Sequence, residues 1–296
     1  ASQQNAQGTW NSEYLMVHHM EETGNIIDST SHGLNGVNYG TSTDVNGKIN
    51  GCRYFNSIID RYDFGNPSLL NPGTSSWTIT LWTKIIHVNN YEIMRKYGSN
   101  TGYFMSLLNA SGGYNYIKVS DGTHSTMKMW NTRWTDGNWH YIAAVINRNT
   151  NKLDVYLDGD LHNGGGTGNI AGFGNISSTT NFRLYGGVNA RHDEFTISTT
   201  VRNASWLKTS YTNQNDPSSF YRILPQEPIP PAAVNVSNPV PENGGVDIRL
   251  NPKLSITIIH NLGYAMSITW KTNASGSWTT IGSNASVSTG TYSCRN

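Results

Sequence analysis

Two strand-like runs joined by a short polar turn lie in the middle of the chain, between Asp136 and Gly159 (DGNWHYIAAVINRNTNKLDVYLDG). In the second run, Leu153, Val155 and Leu157 alternate with more polar residues, which is the period of a β-strand with one buried face. The six residues between the runs, NRNTNK, are typical of a turn. The stretch therefore predicts an antiparallel β-hairpin with one face in a hydrophobic core.

The rest of the chain favours the same all-β class. Another strand-like stretch, Ser76–Ile85, shows the same period of two. The 296 residues include 30 glycines and 11% aromatic residues, a mixture that suits strands and their turns. The net charge of +1 gives no electrostatic reason to expect nucleic acid or an anionic membrane as a partner. One helix is expected, over Asn203–Gln214, with Asn203 as its N-cap.

A proline-rich segment divides the chain. Leu224–Ala233 (LPQEPIPPAA) contains four prolines, so it cannot be a helix or a central strand, and it is typical of a stiff extended linker. The organisation that we predict is an N-terminal extension at 1–10, a first domain at 11–217, the linker at 218–233 and a second domain at 234–296.

Several features indicate a secreted or cell-surface protein. The sequence contains no run of 18 apolar residues, so no membrane-spanning helix is predicted. A signal peptide is expected to be absent or already removed. Cys52 and Cys294 could bond each other, pair between molecules or remain thiols. Six Asn-x-Ser/Thr sequons are candidate glycosylation sites: Asn109, Asn175, Asn203, Asn235, Asn273 and Asn284.

Three further stretches occur with these runs in a familiar order: YLMVHHMEE (Tyr14–Glu22), DSTSHGLNG (Asp28–Gly36) and HDEFTIS (His192–Ser198). Together they resemble the laminin-G-like, concanavalin A-like lectin/glucanase superfamily over residues 10–217. The resemblance implies a jelly-roll sandwich of two curved antiparallel sheets. The first two stretches are similar to modules of large archaeal surface proteins. Residues 234–296 resemble an immunoglobulin-like or fibronectin-type-III-like sandwich with fewer strands than the usual seven.

Three catalytic motifs are absent from the sequence: the paired glutamates of glucanases, the Gly-x-Ser-x-Gly elbow and His-Glu-x-x-His. Glucanases of this superfamily use a Glu-x-Asp-x-Glu run, whose alternate side chains face one sugar. The acidic pairs here, Glu21–Glu22 and Asp193–Glu194, are adjacent and point to opposite sides of a strand. Gly164–Asn169 (GGGTGN) lacks the residues of a phosphate-binding loop and predicts a flexible loop. We expect no enzyme, with a polysaccharide-degrading enzyme as an alternative.

A structural calcium ion is the expected cofactor. Calcium needs six to eight oxygen ligands, and Asp28 and Asn35 share a turn-rich loop while Asp193 opens a later strand. The resemblance implies a calcium ion between such positions. The alternative is that the Asp28 side chain only accepts hydrogen bonds from backbone groups of its own loop, as in an Asx turn. Zinc is not expected, because His18 and His19 point apart in a strand.

Sugar-binding proteins stack aromatic rings on sugars and orient them with polar side chains. In a sandwich of this size any one aromatic residue can instead belong to the core. The predicted aromatic residues are Tyr97, Tyr103, Tyr114, Tyr116, Trp130 and Trp134, with Asn131 and Arg133 as polar neighbours.

The function that we predict is non-catalytic carbohydrate binding or adhesion outside the cell, with glycans or other surface proteins as partners. The main alternative is a structural subunit of a filament or surface layer. In that alternative a neighbouring chain completes the second domain with a strand from residues 1–10, and Cys294 links chains.

Overall fold

The computed structural model describes residues 6–86, 91–107, 115–130, 136–220, 234–248, 252–260 and 264–295. The chain divides into two compact units, residues 1–222 and 223–296. Antiparallel strand pairs build both units, which confirms the all-β class.

The first unit contains most of the secondary structure. Its helices are α1 (Ala6–Thr9), α2 (Ala204–Asn215) and α3 (Pro217–Phe220). In chain order its strands are β1 (Tyr14–His18), β2 (Val37–Tyr39), β3 (Ser42–Asp44), β4 (Cys52–Phe55), β5 (Arg61–Asp63), β6 (Trp77–Ile85), β7 (Tyr91–Gly98), β8 (Thr101–Leu107), β9 (Asn115–Asp121), β10 (Ser125–Trp130), β11 (Trp139–Asn147), β12 (Lys152–Leu157), β13 (Asp160–Leu161), β14 (Arg183–Tyr185) and β15 (Ala190–Ser198).

Two sheets pack face to face in the first unit. The back sheet has the strand order β13-β12-β11-β6-β15-β4-β3, with β1 also paired to β15. The front sheet has the order β10-β9-β8-β7-β14-β5-β2. Ile79 of the back sheet and Met105 and Ile117 of the front sheet belong to one buried cluster between them. This sandwich is the jelly roll that the resemblance implied.

Alternation in β6 decides which side chains reach each side of the back sheet. Trp77, Ile79 and Leu81 lie in the core between the sheets. Trp82 points the other way, into a second buried cluster that includes Leu207 of α2. The helix α2 therefore covers part of the outer face of the back sheet.

The helix α2 begins where the sequence predicts. The side chain of Asn203 accepts a hydrogen bond from the backbone N–H of Trp206 at 2.9 Å. This bond satisfies one of the backbone N–H groups that the start of a helix leaves unpaired. The helix ends at Asn215, one residue beyond the prediction.

The strands β11 and β12 form the predicted antiparallel hairpin. Leu153 of β12 faces the main core. The side chain of Asn147 accepts hydrogen bonds from the backbone N–H groups of Asn149 and Thr150, at 3.0 and 3.2 Å. The asparagine-rich turn is thus held by local side-chain-to-backbone bonds, which is the physical reason for its sequence.

The glycine-rich segment 164–169 is a packed strap rather than the flexible loop that its composition suggested. It joins β10, the edge strand of the front sheet, to β12, the second strand of the back sheet. The N–H of Met129 in β10 donates to the carbonyl of Gly165 at 2.8 Å, and the N–H of Leu153 in β12 donates to Gly168 at 2.7 Å. The glycines allow the segment to lie directly against the backbone of the neighbouring strands.

Replacing Gly166 by alanine is expected to destabilise the first unit more than replacing Gly172. Both glycines have a positive φ, +80° and +77°, so alanine costs about 1–2 kcal/mol at either site. At Gly166 the new Cβ would also lie 2.3 Å from the carbonyl oxygen of Met127, whereas nothing lies within 4 Å at Gly172. Urea unfolding should show an additional loss of about 2 kcal/mol for Gly166→Ala. Equal losses would contradict a packed strap.

The second unit has a small core of its own. Its strands are β16 (Val234–Val240), β17 (Lys253–His260), β18 (Met266–Thr272), β19 (Thr279–Val287) and β20 (Gly290–Arg295). The strands β16, β17 and β20 form one sheet, and β18 and β19 form another. Its buried hydrophobic cluster contains Ile258, Ile268, Trp270 and Val287. The immunoglobulin-like assignment of this unit stays a prediction.

Two predicted segments are described only in part. Of the N-terminal extension, residues 6–9 form α1 and residues 1–5 lie outside the described residues. Donation of residues 6–9 as a strand would require this helix to unfold. Of the linker at 218–233, residues 218–220 belong to α3, and residues 221–233 lie outside the described part.

Candidate functional site

Alternation along β7, β8 and β9 gives the front sheet two different faces. Tyr103 and Ile117 point inward and are fully buried in the core. Phe104 and Lys118 point outward and are only partly buried. Phe104 lies directly opposite Lys118 on the neighbouring strand. The outer face of the front sheet therefore presents large aromatic and cationic side chains side by side.

Three rings form a continuous line on this face, which we call the aromatic row: Tyr97 on β7, Phe104 on β8 and Tyr116 on β9. The ring centroids of Tyr97 and Phe104 are 5.1 Å apart with an interplanar angle of 70°. Those of Phe104 and Tyr116 are 5.6 Å apart at 73°. Edge-to-face contacts of this kind are favourable and hold each ring in a defined orientation.

Positive charges lie beside the aromatic row. The guanidinium carbon of Arg95 is 5.6 Å from the ring centroid of Tyr97 and 5.7 Å from that of Phe104. The Nζ atom of Lys118 is 5.5 Å from the Tyr97 centroid. Cations at such distances are attracted to the ring faces. Arg95 also forms an ion pair with Glu92.

The sequence prediction of the sugar-binding residues was partly wrong. Tyr97 and Tyr116 lie in the aromatic row. Tyr103 and Trp130 are fully buried, each with 0% of its surface exposed, so neither ring can stack on a sugar. The remaining predicted residues, Tyr114, Asn131, Arg133 and Trp134, lie outside the described residues.

Three residues of this face were not predicted from the sequence: Phe104, Arg95 and Lys118. The signal was present as the period of two in β7, β8 and β9, where every second residue faces out. Adjacent residues such as Tyr103 and Phe104 are equally aromatic. Only the register of the sheet decides which of them faces the core.

Asp28 organises the loop that follows β1. Its carboxylate accepts hydrogen bonds from the N–H of Val17 at 3.0 Å and from the N–H and hydroxyl of Thr30 at 3.0 and 2.8 Å. The N–H of Leu34 donates a fourth bond at 2.9 Å. The side-chain oxygen of Asn35 accepts from the N–H of Asp28 at 2.8 Å. These hydrogen bonds hold the loop in place, which is the role that the sequence predicted as the alternative to calcium binding.

The predicted calcium ligands do not form a ready site in this arrangement. The four hydrogen bonds to Asp28 use the acceptor positions of its two oxygens. In the part of the chain that the structure describes, no group of three or more His, Cys, Asp or Glu residues could hold a metal ion. Calcium binding by Asp28, Asn35 and Asp193 stays a prediction, and it would require these bonds to rearrange.

Asp193 and Glu194 serve different neighbours, as their adjacency predicts. The fully buried carboxyl of Asp193 accepts from the N–H groups of Lys48, Ile49 and Glu194, at 2.7, 2.9 and 2.9 Å. Burial raises the pKa of Asp193 to about 8, although these three bonds favour the charged form. Glu194 faces His19, with Oε1 2.9 Å from Nδ1, and this hydrogen bond raises the pKa of His19. The two carboxylates are therefore held by different neighbours, Asp193 by backbone N–H groups and Glu194 by His19.

Neither cysteine forms a disulfide bond in the structure. Cys52 on β4 is fully buried, and burial raises the pKa of its thiol to about 12. It is therefore out of reach of a second molecule and poorly nucleophilic. Cys294 on β20 is partly buried, with its Sγ 3.8 Å from the carbonyl oxygen of Ile281. A link between chains through Cys294 stays a prediction.

The predicted glycosylation sites differ in accessibility. Asn284 is partly buried, and its side-chain oxygen accepts a hydrogen bond from Trp270 Nε1 at 2.8 Å. Asn109 lies outside the described residues. The other four are exposed: Asn175, Asn203, Asn235 and Asn273. Their use stays a prediction.

A family model described as the concanavalin A-like lectin/glucanases superfamily, of the Laminin_G_3 type, matches residues 60–208. These residues make up half of the chain. The chain therefore belongs to the concanavalin A-like lectin/glucanase superfamily. None of the described helices is long and apolar enough to cross a membrane.

Relatives with similar sequence or fold come from clostridial toxins and toxin-associated proteins. A stretch of 151 residues is 24% identical to the non-toxic nonhemagglutinin of Paraclostridium bifermentans, and it covers 50% of this chain but only 13% of that protein. The binding domain of Paraclostridial Mosquitocidal Protein 1 superposes with a TM-score of 0.58 at 17% identity, covering 68% of this chain and 52% of that one. The likeness to archaeal surface modules stays a prediction.

Another solved structure matches a larger share of the chain. The ligand binding domain of botulinum neurotoxin serotype D, solved in complex with N-acetylneuraminic acid, superposes with a TM-score of 0.55 at 11% identity. The match covers 90% of this chain and 75% of that one. At this identity the likeness shows a shared fold.

Proposed function

We propose that this protein binds carbohydrate outside the cell without catalysis, and that the aromatic row on the front sheet is its binding surface. The single observation that carries the proposal is the line of Tyr97, Phe104 and Tyr116 at centroid spacings of 5.1 and 5.6 Å on a partly exposed sheet face. Flat apolar rings pair with the C–H faces of sugars, and adjacent cations and hydroxyls can orient the sugar.

The comparisons support a binding role. The two superposed structures described above are binding domains, and one of them was solved with a bound sugar, N-acetylneuraminic acid. The adjacent acidic pair Asp193–Glu194 points to separate partners rather than to one sugar. A binding surface without a paired acid and nucleophile fits recognition better than hydrolysis.

A glycan array tests this function directly. Fluorescently labelled wild-type protein is expected to bind a defined set of glycans, and Tyr97→Ala and Phe104→Ala are each expected to weaken that binding about 10-fold or more. Truncation of an aromatic residue at the centre of a binding surface typically costs more than 1 kcal/mol. The affinities of the glycans that bind would then be measured by titration calorimetry.

The matched control is Trp278→Ala, because Trp278 is an aromatic residue of the second unit with 69% of its surface exposed. It should leave glycan binding unchanged. Circular dichroism spectra of all variants should match the wild type. Failure of the wild type to bind any glycan, or unchanged binding in both row variants, would overturn the assignment.

A further inference from the structure

We propose that the aromatic row prefers acidic glycans, those that carry a carboxylate, and that Lys118 is the residue that determines this preference. The inference rests on the proposed function, because it names the ligand class of the same surface. It starts from the different states of the cations on the outer face of the front sheet.

The two arginines on the strands nearest the aromatic row already have carboxylate partners. A third, Arg61 on β5, lies farther along this face, with its guanidinium carbon 4.2 Å from the ring centroid of Tyr39. Arg95 forms an ion pair with Glu92, and its Nε donates to the carbonyl oxygen of Tyr97 at 3.0 Å. Arg183 lies opposite Arg95 on β14, and its Nε donates to the carboxylate of Asp63 at 2.8 Å. Their charges are therefore largely compensated within the protein, and their donors are partly used.

Lys118 is different. It lies on β9 directly opposite Phe104, and its Nζ is 5.5 Å from the ring centroid of Tyr97. Within the described residues, none of the ion pairs involves Lys118. Its charge therefore has an aromatic neighbour, and it pairs with none of the carboxylates that the structure describes.

A sugar stacked on Tyr97 or Phe104 would share those rings with the ammonium group of Lys118. A carboxylate on that sugar could pair with the ammonium without displacing an acidic side chain of the protein. A neutral sugar would gain the stacking contact and a hydrogen bond from the ammonium to a hydroxyl, but no pairing of opposite charges. A partly exposed ion pair contributes about 1 kcal/mol, which corresponds to an affinity difference of about 5-fold.

The test compares matched pairs of glycans on one array: sialylated glycans with their asialo parents, and uronate oligomers with the corresponding hexose oligomers. The wild type is expected to bind the acidic member of each recognised pair about 5-fold more tightly at low salt. Lys118→Met keeps an apolar stem of similar length and should remove most of this preference. Lys118→Arg should retain it.

Lys152→Met is the control, because Lys152 is an exposed lysine on β12 of the back sheet. It should leave the preference unchanged. Raising the salt from 50 to 500 mM should reduce the preference of the wild type, since screening shortens the reach of exposed charges.

The outcomes separate this inference from the proposed function. Equal binding of neutral and acidic glycans by the wild type would overturn the inference and leave the proposed function standing. A preference that survives Lys118→Met would also overturn it, because another residue would then provide the selectivity. A wild type that binds no glycan would overturn the proposed function, and the inference with it.

Discussion

Replacing Asp28 by alanine is expected to lower the free energy of unfolding of the first unit by about 3–5 kcal/mol. The carboxylate is buried, with 4% of the residue exposed, and it receives four hydrogen bonds that join the loop to β1. Without it, the N–H groups of Val17 and Leu34 lose their acceptor in an environment with little water. Each buried donor left without a partner costs about 1–3 kcal/mol.

Urea unfolding of the wild type and Asp28→Ala measures this loss. The control is Asp160→Ala, since the carboxylate of Asp160 is 75% exposed and pairs with Lys208 at the surface. Removal of such a surface pair should cost less than about 1 kcal/mol. A loss of that small size at Asp28 as well would contradict its structural role.

The same variants decide the calcium prediction. If calcium binds at Asp28, adding millimolar calcium should raise the melting temperature of the wild type and leave that of Asp28→Ala unchanged. If the carboxylate serves only the loop, calcium should change neither protein, and the loss of stability on substitution should remain.

Lowering the pH from 7 to 4 is expected to weaken the first unit through two buried histidines. Burial lowers the pKa of His18 and of His192 to about 4, from the ordinary value of 6.5. Between pH 6.5 and 4 the unfolded chain binds protons at these rings and the folded chain does not. The stabilising contribution of each neutral ring is therefore complete above pH 6.5 and is lost as the pH falls to 4.

The size of this effect is about 1.4 kcal/mol per pH unit for each histidine, and about 3 kcal/mol for each over the whole range. Asp193 acts in the opposite direction. Its pKa is raised to about 8, so between pH 6.5 and 4 the folded chain keeps a proton that the unfolded chain releases. The net loss on acidification should therefore be smaller than the sum for the two histidines.

A single substitution isolates one histidine from these opposing effects. His192→Gln removes the titrating ring, whose Nε2 lies 2.8 Å from the carbonyl oxygen of Tyr185. The variant should be less stable than the wild type at pH 7, and this difference should shrink by about 1.4 kcal/mol per pH unit between pH 6.5 and 4. Proton NMR should show that the His192 ring of the wild type stays neutral down to about pH 4. A constant difference in stability would contradict the assignment.

Local features of the sequence determined the elements of the fold. The period of two in β6 and β12 separated the side chains that enter the core from those that do not, because successive residues of a strand point to opposite faces. Asn203 marked the start of α2, because a cap needs only a bond to a backbone N–H three residues later. Such signals lie within a few residues and can be read without knowing the fold.

The proposed binding surface could not be predicted in this way. The row of Tyr97, Phe104 and Tyr116 exists because three strands pair in one register, and a shift by one residue would turn Phe104 inward and Tyr103 outward. The glycine-rich strap likewise depends on backbone groups of two separate strands. Periodicity, turns and caps were therefore fixed by the sequence alone, because they depend on neighbours along the chain. The proposed binding face was decided by the tertiary structure, because strand register determines which of two adjacent aromatic residues is exposed.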